Sequence, residues 1–166
     1  MENFTVRPMN RENALIVQSW RYEGPYAVYN WTEDSKAALC EMLNQHSPYY
    51  SVHDEQEEIV GFFCFGTSAQ PWISKSASLK DCDGIIDIGL GMRPNLIGRG
   101  YGLSFASTGV SFAQTSFSIE TLRLFVRSFN TRARHVYAQA GFMPIKIFLL
   151  SNIEHPDKFL EMRWHL

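Results

Sequence analysis

The chain has 166 residues, with 15 Lys and Arg against 17 Asp and Glu for a net charge of −2, and is 45% hydrophobic and 14% aromatic. That composition excludes disorder, which needs low hydrophobicity and high net charge, and it supplies no basic footprint for nucleic acid or an anionic membrane. At this length about 70% of the unfolded surface can be buried on folding, so one domain over residues 1–166 can hold a core without a disulfide or a metal.

In chain order, Phe4 to Arg7 reads as a first strand, with no basic-then-apolar segment of the secretory kind around it. Met9-Asn10 leads into a helical segment through Leu15, Ile16 and Trp20. The aromatic stretch WRYEGPYAVYNW, Trp20 to Trp31, is broken by Gly24-Pro25 and is expected to be neither helix nor strand. Helical spacing resumes from Thr32 to Asn44, with Ala38, Leu39, Met42 and Leu43 on one side. Tyr49 to Val52 and Ile59 to Gly66 flank the charged HDEQEE as an antiparallel hairpin, with His53-Asp54 at a solvated end. The apolar run from Ile59 to Phe65 is too short to cross a bilayer.

Gln70 to Gly84 reads as a polar loop and Ile85 to Met92 as a strand, within which Gly89 and Gly91 predict a bulge or a close backbone approach. A glycine cluster, Gly98, Gly100 and Gly102, precedes a helical stripe of Leu103, Ala106, Val110, Ala113 and Phe117. Leu122 to Val126 is the next strand, and Thr131 to Ala140 a helix closed by Gly141. Phe142 to Leu150 and Phe159 to Trp164 are the last two strands. The order β-α-α-β-β-β-α-β-α-β-β indicates an α/β domain with a mixed sheet.

Cys40, Cys64 and Cys82 are widely spaced and contain no C-x-x-C, which suits buried thiols in a reducing compartment; the expectation is a cytoplasmic protein. The five histidines form no i,i+4 pair and have no cysteine partner, so no metal site is expected. Gly102-Leu103-Ser104-Phe105-Ala106 approximates a hydrolase nucleophile elbow, but its last glycine is alanine and Ser104 falls inside the stripe helix.

The segment that carries chemistry is the succession strand, GRGYG from Gly98 to Gly102, helix. Glycines let a backbone approach an anion closely, and a helix N-terminus offers unpaired N–H groups, so the arrangement suits a phosphate or pyrophosphate. A dinucleotide fingerprint fails because Leu103 stands where its third glycine would fall, and a Walker A loop fails for want of a Gly-Lys-Ser/Thr.

On these residues the sequence resembles the GNAT superfamily of N-acetyltransferases. The family's loop, [QR]-x-x-G-x-[GA], falls on Ile97, Gly98, Arg99, Gly100, Tyr101 and Gly102, with Ile97 in place of Gln or Arg. Downstream, LRLFVRSFNTRARHVYAQAGF resembles the family's second signature, with Asn130, Arg132-Ala133, Tyr137 and Gly141-Phe142. The resemblance implies a mixed, mostly antiparallel twisted sheet of six to seven strands flanked by about four helices. It also implies acetyl-CoA as cosubstrate, held by the loop, by Asn130 and Arg132 and by the amides of Leu90 and Met92.

Acyl transfer from a thioester needs a neutral nucleophile, a polarised carbonyl and a protonated leaving group. An alkylamine of pKa about 10 is charged at neutral pH, so a base must take its proton. Asp87, a carboxylate central in the apolar IIDIGL, is the candidate base. The resemblance makes Tyr137 the general acid beside the departing thiolate, the reading preferred here over that of an ordinary core aromatic. Asn130 is a helix N-cap, a pantetheine contact, or both. The acceptor is expected beside Glu23, Tyr26, Tyr29 and Trp31, though these rings also suit a sheet edge or a contact in a homodimer. The activity expected is acetyl transfer from acetyl-CoA to a primary amine of a small molecule or peptide. The alternative is a non-catalytic acyl-CoA-binding module on the same fold.

Overall fold

A computed structural model describes residues 3–31, 35–71, 84–149 and 157–166. Most of the expected loop Gln70 to Gly84 with Cys82, the expected helix start at Thr32, the strand end at Leu150 and His155 lie outside the described residues.

Among the described residues seven strands form one sheet: β1 Thr5–Pro8, β2 Tyr49–His53, β3 Ile59–Phe65, β4 Ile85–Met92, β5 Thr121–Arg127, β6 Met143–Leu149 and β7 Lys158–His165. They lie in the order β1-β2-β3-β4-β5-β7-β6. Every pairing is antiparallel except β4 with β5, which the crossover helix α3, Gly102–Ser116, makes parallel. Helix α4, Thr131–Gln139, joins α3 on the face that carries Leu122, Leu124 and Val126. Helices α1, Arg11–Ser19, and α2, Ser35–Met42, cover the opposite face over Cys64 and Phe62.

The differences from expectation have local causes. Asn10 caps α1 by accepting from the Asn13 N–H at 2.8 Å. With the start so fixed, Ala14 and Val17 turn to the sheet while Leu15 and Ile16 stay exposed. The aromatic stretch is not irregular throughout. Gly24–Tyr29 is a 3₁₀ turn, started by Gly24 at φ +58° and Pro25 and tied by i to i+3 bonds from Tyr26 and Asn30. His53 is buried rather than solvated: its ring nitrogens meet the Glu57 carbonyl and the Ser51 hydroxyl, so it latches the hairpin. Cys40 is exposed, and Cys64 alone of the two described cysteines is buried. In α3, Ala106, Val110 and Ala113 are buried as expected, but Phe105 and Gly109 join them and Leu103 is exposed. A Cβ on Gly109 would lie 3.2 Å from Ile88, so its absence sets how close α3 lies to β4.

Candidate active site

The glycines of β4 do not make a bulge. The β3–β4 register runs unbroken from Gly61 opposite Met92 to Phe65 opposite Ile88. What changes is the other edge: β4 pairs with β5 only from Ile85 to Asp87, and the two parallel strands then part. The Arg93 N–H donates to the Val60 carbonyl at 2.8 Å. By the alternation of an antiparallel ladder, the N–H groups of Gly91 and Gly89 also turn to β3, and those of Leu90 and Met92, beyond the last β4–β5 pairing, turn into the gap. The close approach predicted for the glycines is present, since a Cβ on Gly89 would stand 2.6 Å from Cys64 Sγ and one on Gly91 would overlap the Phe62 ring.

A cavity of about 490 Å³ fills this gap, a volume within the range of small-molecule sites. One wall is β4 from Ile88 to Met92; facing it are Leu124, Phe125 and Val126 of β5. Its far end reaches Ile97, Gly98, Gly100 and the first residues of α3. Gly98 and Gly100 take φ of +79° and +91°, the left-handed region that suits glycine, and nothing lies within 4 Å of where a Gly100 Cβ would stand. The Arg132 guanidinium stands 3.8 Å from the corresponding point on Gly98, so a fixed positive charge borders the loop and the unpaired N–H groups at the start of α3. Backbone donors, a helix N-terminus, an arginine and open space at Gly100 together suit an elongated thioester ending in phosphates. Arg99 and Tyr101 complete the loop without facing the cavity; Arg99 is exposed, and the Tyr101 carbonyl accepts from Phe105 and Ser104 at the helix start.

The third side is the aromatic segment. Tyr22, Tyr26, Tyr29 and Trp31 line the cavity with Trp20 and Phe62. Their placement is fixed from both edges of the gap. Tyr22 donates its hydroxyl to the Met92 carbonyl at 2.9 Å, and Asn130 donates Nδ2 to the Tyr29 hydroxyl at 3.1 Å. Asn130 Oδ1 meanwhile accepts from the Ala133 N–H, so it is the α4 N-cap and a cavity residue together. Arg132 stacks over Tyr26 at 4.6 Å, and Arg127 lies 5.7 Å from the centre of the Tyr29 ring. Burial pushes Tyr22 up to about 12, with Tyr29 adding to it, and burial likewise raises Tyr29.

Tyr137 projects from α4 into the cavity beside Phe142, its ring centre 6.1 Å away. Burial raises its hydroxyl above the ordinary tyrosine range, and Tyr29, Tyr22 and Cys64 push it further in the same direction, so it is a neutral donor at physiological pH.

Two expected site residues are elsewhere. Asp87 is 5% exposed and is not part of the cavity wall. Its Oδ1 accepts from Arg123 Nε at 2.6 Å, and its Oδ2 accepts from Arg123 at 2.9 Å and from Gln70 at 2.7 Å. The pair sits at the last register position that β4 and β5 share, Asp87 opposite Arg123, and so pins the strands where they part. A carboxylate engaged at both oxygens in this way clamps the two strands, and the expected base therefore lies outside the cavity wall with its oxygens bound to Arg123 and Gln70. Glu23 is exposed at the start of the 3₁₀ turn and does not face the cavity. Arg123, Phe62 and Phe125 were not expected at the site. A strand alternating as Leu122-Arg123-Leu124 signals a charge that needs a partner across the sheet, and Asp87 is that partner.

Among the described residues no group of three or more His, Cys, Asp and Glu is placed to hold a metal ion, and no helix is long and apolar enough to cross a membrane.

The acetyltransferase (GNAT) family matches residues 15–142 of the sequence. Among curated proteins none matches. The fold is similar to that of an acetyltransferase of the GNAT family from Bacillus anthracis, with a TM-score of 0.75 at 13% identity over 99% of this chain and 98% of that one. It is also similar to the spermidine/spermine N-acetyltransferase SpeG from Vibrio cholerae, at 0.70 and 14% identity over 98% of this chain and 92% of that one.

Proposed function

The chain belongs to the GNAT acetyltransferase family, and from that premise we propose that it moves an acetyl group from acetyl-CoA to a primary amine of a small molecule or peptide by direct attack. The observation that carries this reading is the parting of β4 from β5 after Asp87, which turns the N–H groups of Leu90 and Met92 into a cavity bordered by the Gly98–Gly102 loop. Acetyl-CoA supplies a thioester whose carbonyl is open to attack by an amine.

The loop amides, the α3 N-terminus and Arg132 hold the phosphates, with Ile97 contributing apolar contact where the family usually has Gln or Arg. Leu90 and Met92 hold the pantetheine and the acetyl group through their backbone, and a free N–H of β4 faces the carbonyl oxygen as it gains negative charge. Such donors need no rearrangement when charge develops, and each is worth about 3–4 kcal/mol in an enclosed site. Asn130 orients the acyl arm while its hydrogen bond ties that arm's wall to Tyr29.

Tyr137 gives its proton to the departing sulfur. A free thiol of pKa about 8.5 is more acidic than a phenol in water. Desolvation raises both groups in the same cavity, which keeps the transfer within reach once the thiolate forms. Asp87 serves as the pin that holds the gap open at a fixed point. Tyr26, Tyr29 and Trp31 receive the amine, whose ammonium form is attracted to aromatic faces by about 0.5–2 kcal/mol. SpeG from Vibrio cholerae is named for the polyamines spermidine and spermine, and polyamines accordingly belong in the first test. That test is release of CoA thiol from acetyl-CoA across polyamines, amino acids, aminoglycosides and peptide N-termini, with mass detection of the acetylated product. Release that depends on one class of amine is the expected result; release with none contradicts the reading.

A further inference from the structure

Resting on the acetyl-transfer reading, the acceptor side of the cavity also bears on what the amine carries besides its nitrogen. By the alternation that turns their N–H groups into the gap, the carbonyls of Leu90 and Met92 turn there too. Tyr22 already donates to the Met92 carbonyl at 2.9 Å, so the Leu90 carbonyl is the one left to accept from an amine. The strand thus serves one nitrogen.

Around that point the wall is ring carbon. The Phe62 ring occupies the space that a Cβ on Gly91 would take, so the rings begin directly against β4, one residue from Leu90. Trp20 lies nearly parallel to Phe62, with ring centres 6.4 Å apart and planes at 29°, and Trp31 lines the cavity with them. The hydroxyls of Tyr22 and Tyr29 are tied to the two edges of the gap, at Met92 and Asn130, and their rings meet edge to face at 6.3 Å.

Charge favours one ammonium over two. Guanidinium groups already take a face of two rings. Arg132 stands 4.6 Å from the centre of Tyr26, and Arg127, itself paired with Asp157, stands 5.7 Å from that of Tyr29. Among the described residues that line the cavity, Arg132 is the only one with an ionic side chain. A second ammonium on the acceptor would therefore meet like charge and no carboxylate, and a buried cation without a counter-charge is costly. An aromatic body on the same nitrogen instead leaves water and gains edge-to-face contact with the rings.

We propose that the acceptor is an arylalkylamine: one primary amine, at the Leu90 carbonyl, joined by a short uncharged chain to an aromatic ring seated among Trp20, Phe62 and Trp31. The N–C bond to the acetyl group forms as the C–S bond breaks. The neutral amine's proton ends on the departing sulfur, and the products are an N-acetyl arylalkylamine and CoA. Polyamines, with a charge where the ring belongs, are poor acceptors.

The test compares kcat/KM for CoA release from acetyl-CoA with 2-phenylethylamine, butylamine and 1,4-diaminobutane, which differ in what stands at the far end of a short chain. 2-Phenylethylamine should exceed 1,4-diaminobutane by about 10²-fold, with butylamine between them. In Trp31→Ala the ratio of 2-phenylethylamine to butylamine should fall by roughly 3- to 10-fold, and Trp31→Phe should restore most of it. A merely structural role for Trp31 would lower both amines alike and leave that ratio unchanged, which overturns the seat assigned to the ring. If Trp31→Ala fails to fold, the wild-type comparison decides. Turnover of 1,4-diaminobutane or spermidine that equals or exceeds that of 2-phenylethylamine overturns the arylalkylamine assignment and leaves acetyl transfer standing. A wild type that releases no CoA with any amine, the wider panel above included, overturns acetyl transfer and this assignment with it.

Discussion

The two sides of the cavity are built from different material. The side assigned to acetyl-CoA is made of backbone: the amides of β4 freed by its parting from β5, two left-handed glycines, and the first turn of α3. The side assigned to the acceptor is made of rings, from Trp20 to Trp31 with Phe62, held by hydrogen bonds to Met92 and Asn130. A backbone site keeps its geometry when side chains change, whereas a wall of rings changes shape with each substitution. One fold can therefore keep its donor while its acceptor varies.

The sharpest way to break this division is at Tyr137, a side chain on the backbone-built side. Tyr137→Phe keeps the ring and removes the hydroxyl, and kcat should fall by about 10²–10⁴-fold with acetyl-CoA affinity little changed, as measured by CoA release and calorimetry. Near-normal turnover would return Tyr137 to the core beside Phe142.

Asp87 tests what holds the gap. Removing one member of a buried ion pair leaves the other desolvated, so Asp87→Ala should cost about 3–5 kcal/mol of stability by chemical denaturation. If Asp87 also acted as the base, the folded fraction of the variant would in addition lose turnover by about 10²–10⁴-fold.

On the aromatic side, Tyr26→Ala should raise the KM of the acceptor by roughly 2- to 30-fold, the equivalent of a single cation–ring contact, while acetyl-CoA binding is retained. An unchanged KM would make the rings packing alone.

The smallest effect expected is on stability at high pH. Tyr22 is pushed up to about 12, and Tyr29 and Tyr137 are raised as well, mainly by burial. Unfolded, these phenols ionise near 10. Their contribution is then complete below pH 10 and is lost as the pH rises toward 12. Tyr22→Phe should flatten that decline, and an unaltered slope would show its hydroxyl to be solvated in the folded state.

The same division explains what the sequence made legible. Element order and strand boundaries followed from alternation and glycine spacing. The loop residues Gly98 and Gly100 could be read because a left-handed backbone demands glycine. The helices of the acceptor side were harder. In α1 the buried face is set by the cap at Asn10 and by small Ala14, not by the larger Leu15 and Ile16. Asp87 was legible as a buried charge in need of a partner, but Arg123 lies 36 residues on, and only the β4–β5 register joins them.

Calorimetric titration of acetyl-CoA into the wild type and into Gly100→Val tests the central assignment most directly. A β-branched residue at φ +91° forces the loop out of its left-handed turn. The account predicts saturable one-to-one binding to the wild type and its loss in a Gly100→Val protein that still unfolds cooperatively. Equal binding by both, or none by the wild type, would contradict the placement of acetyl-CoA between β4, β5 and this loop.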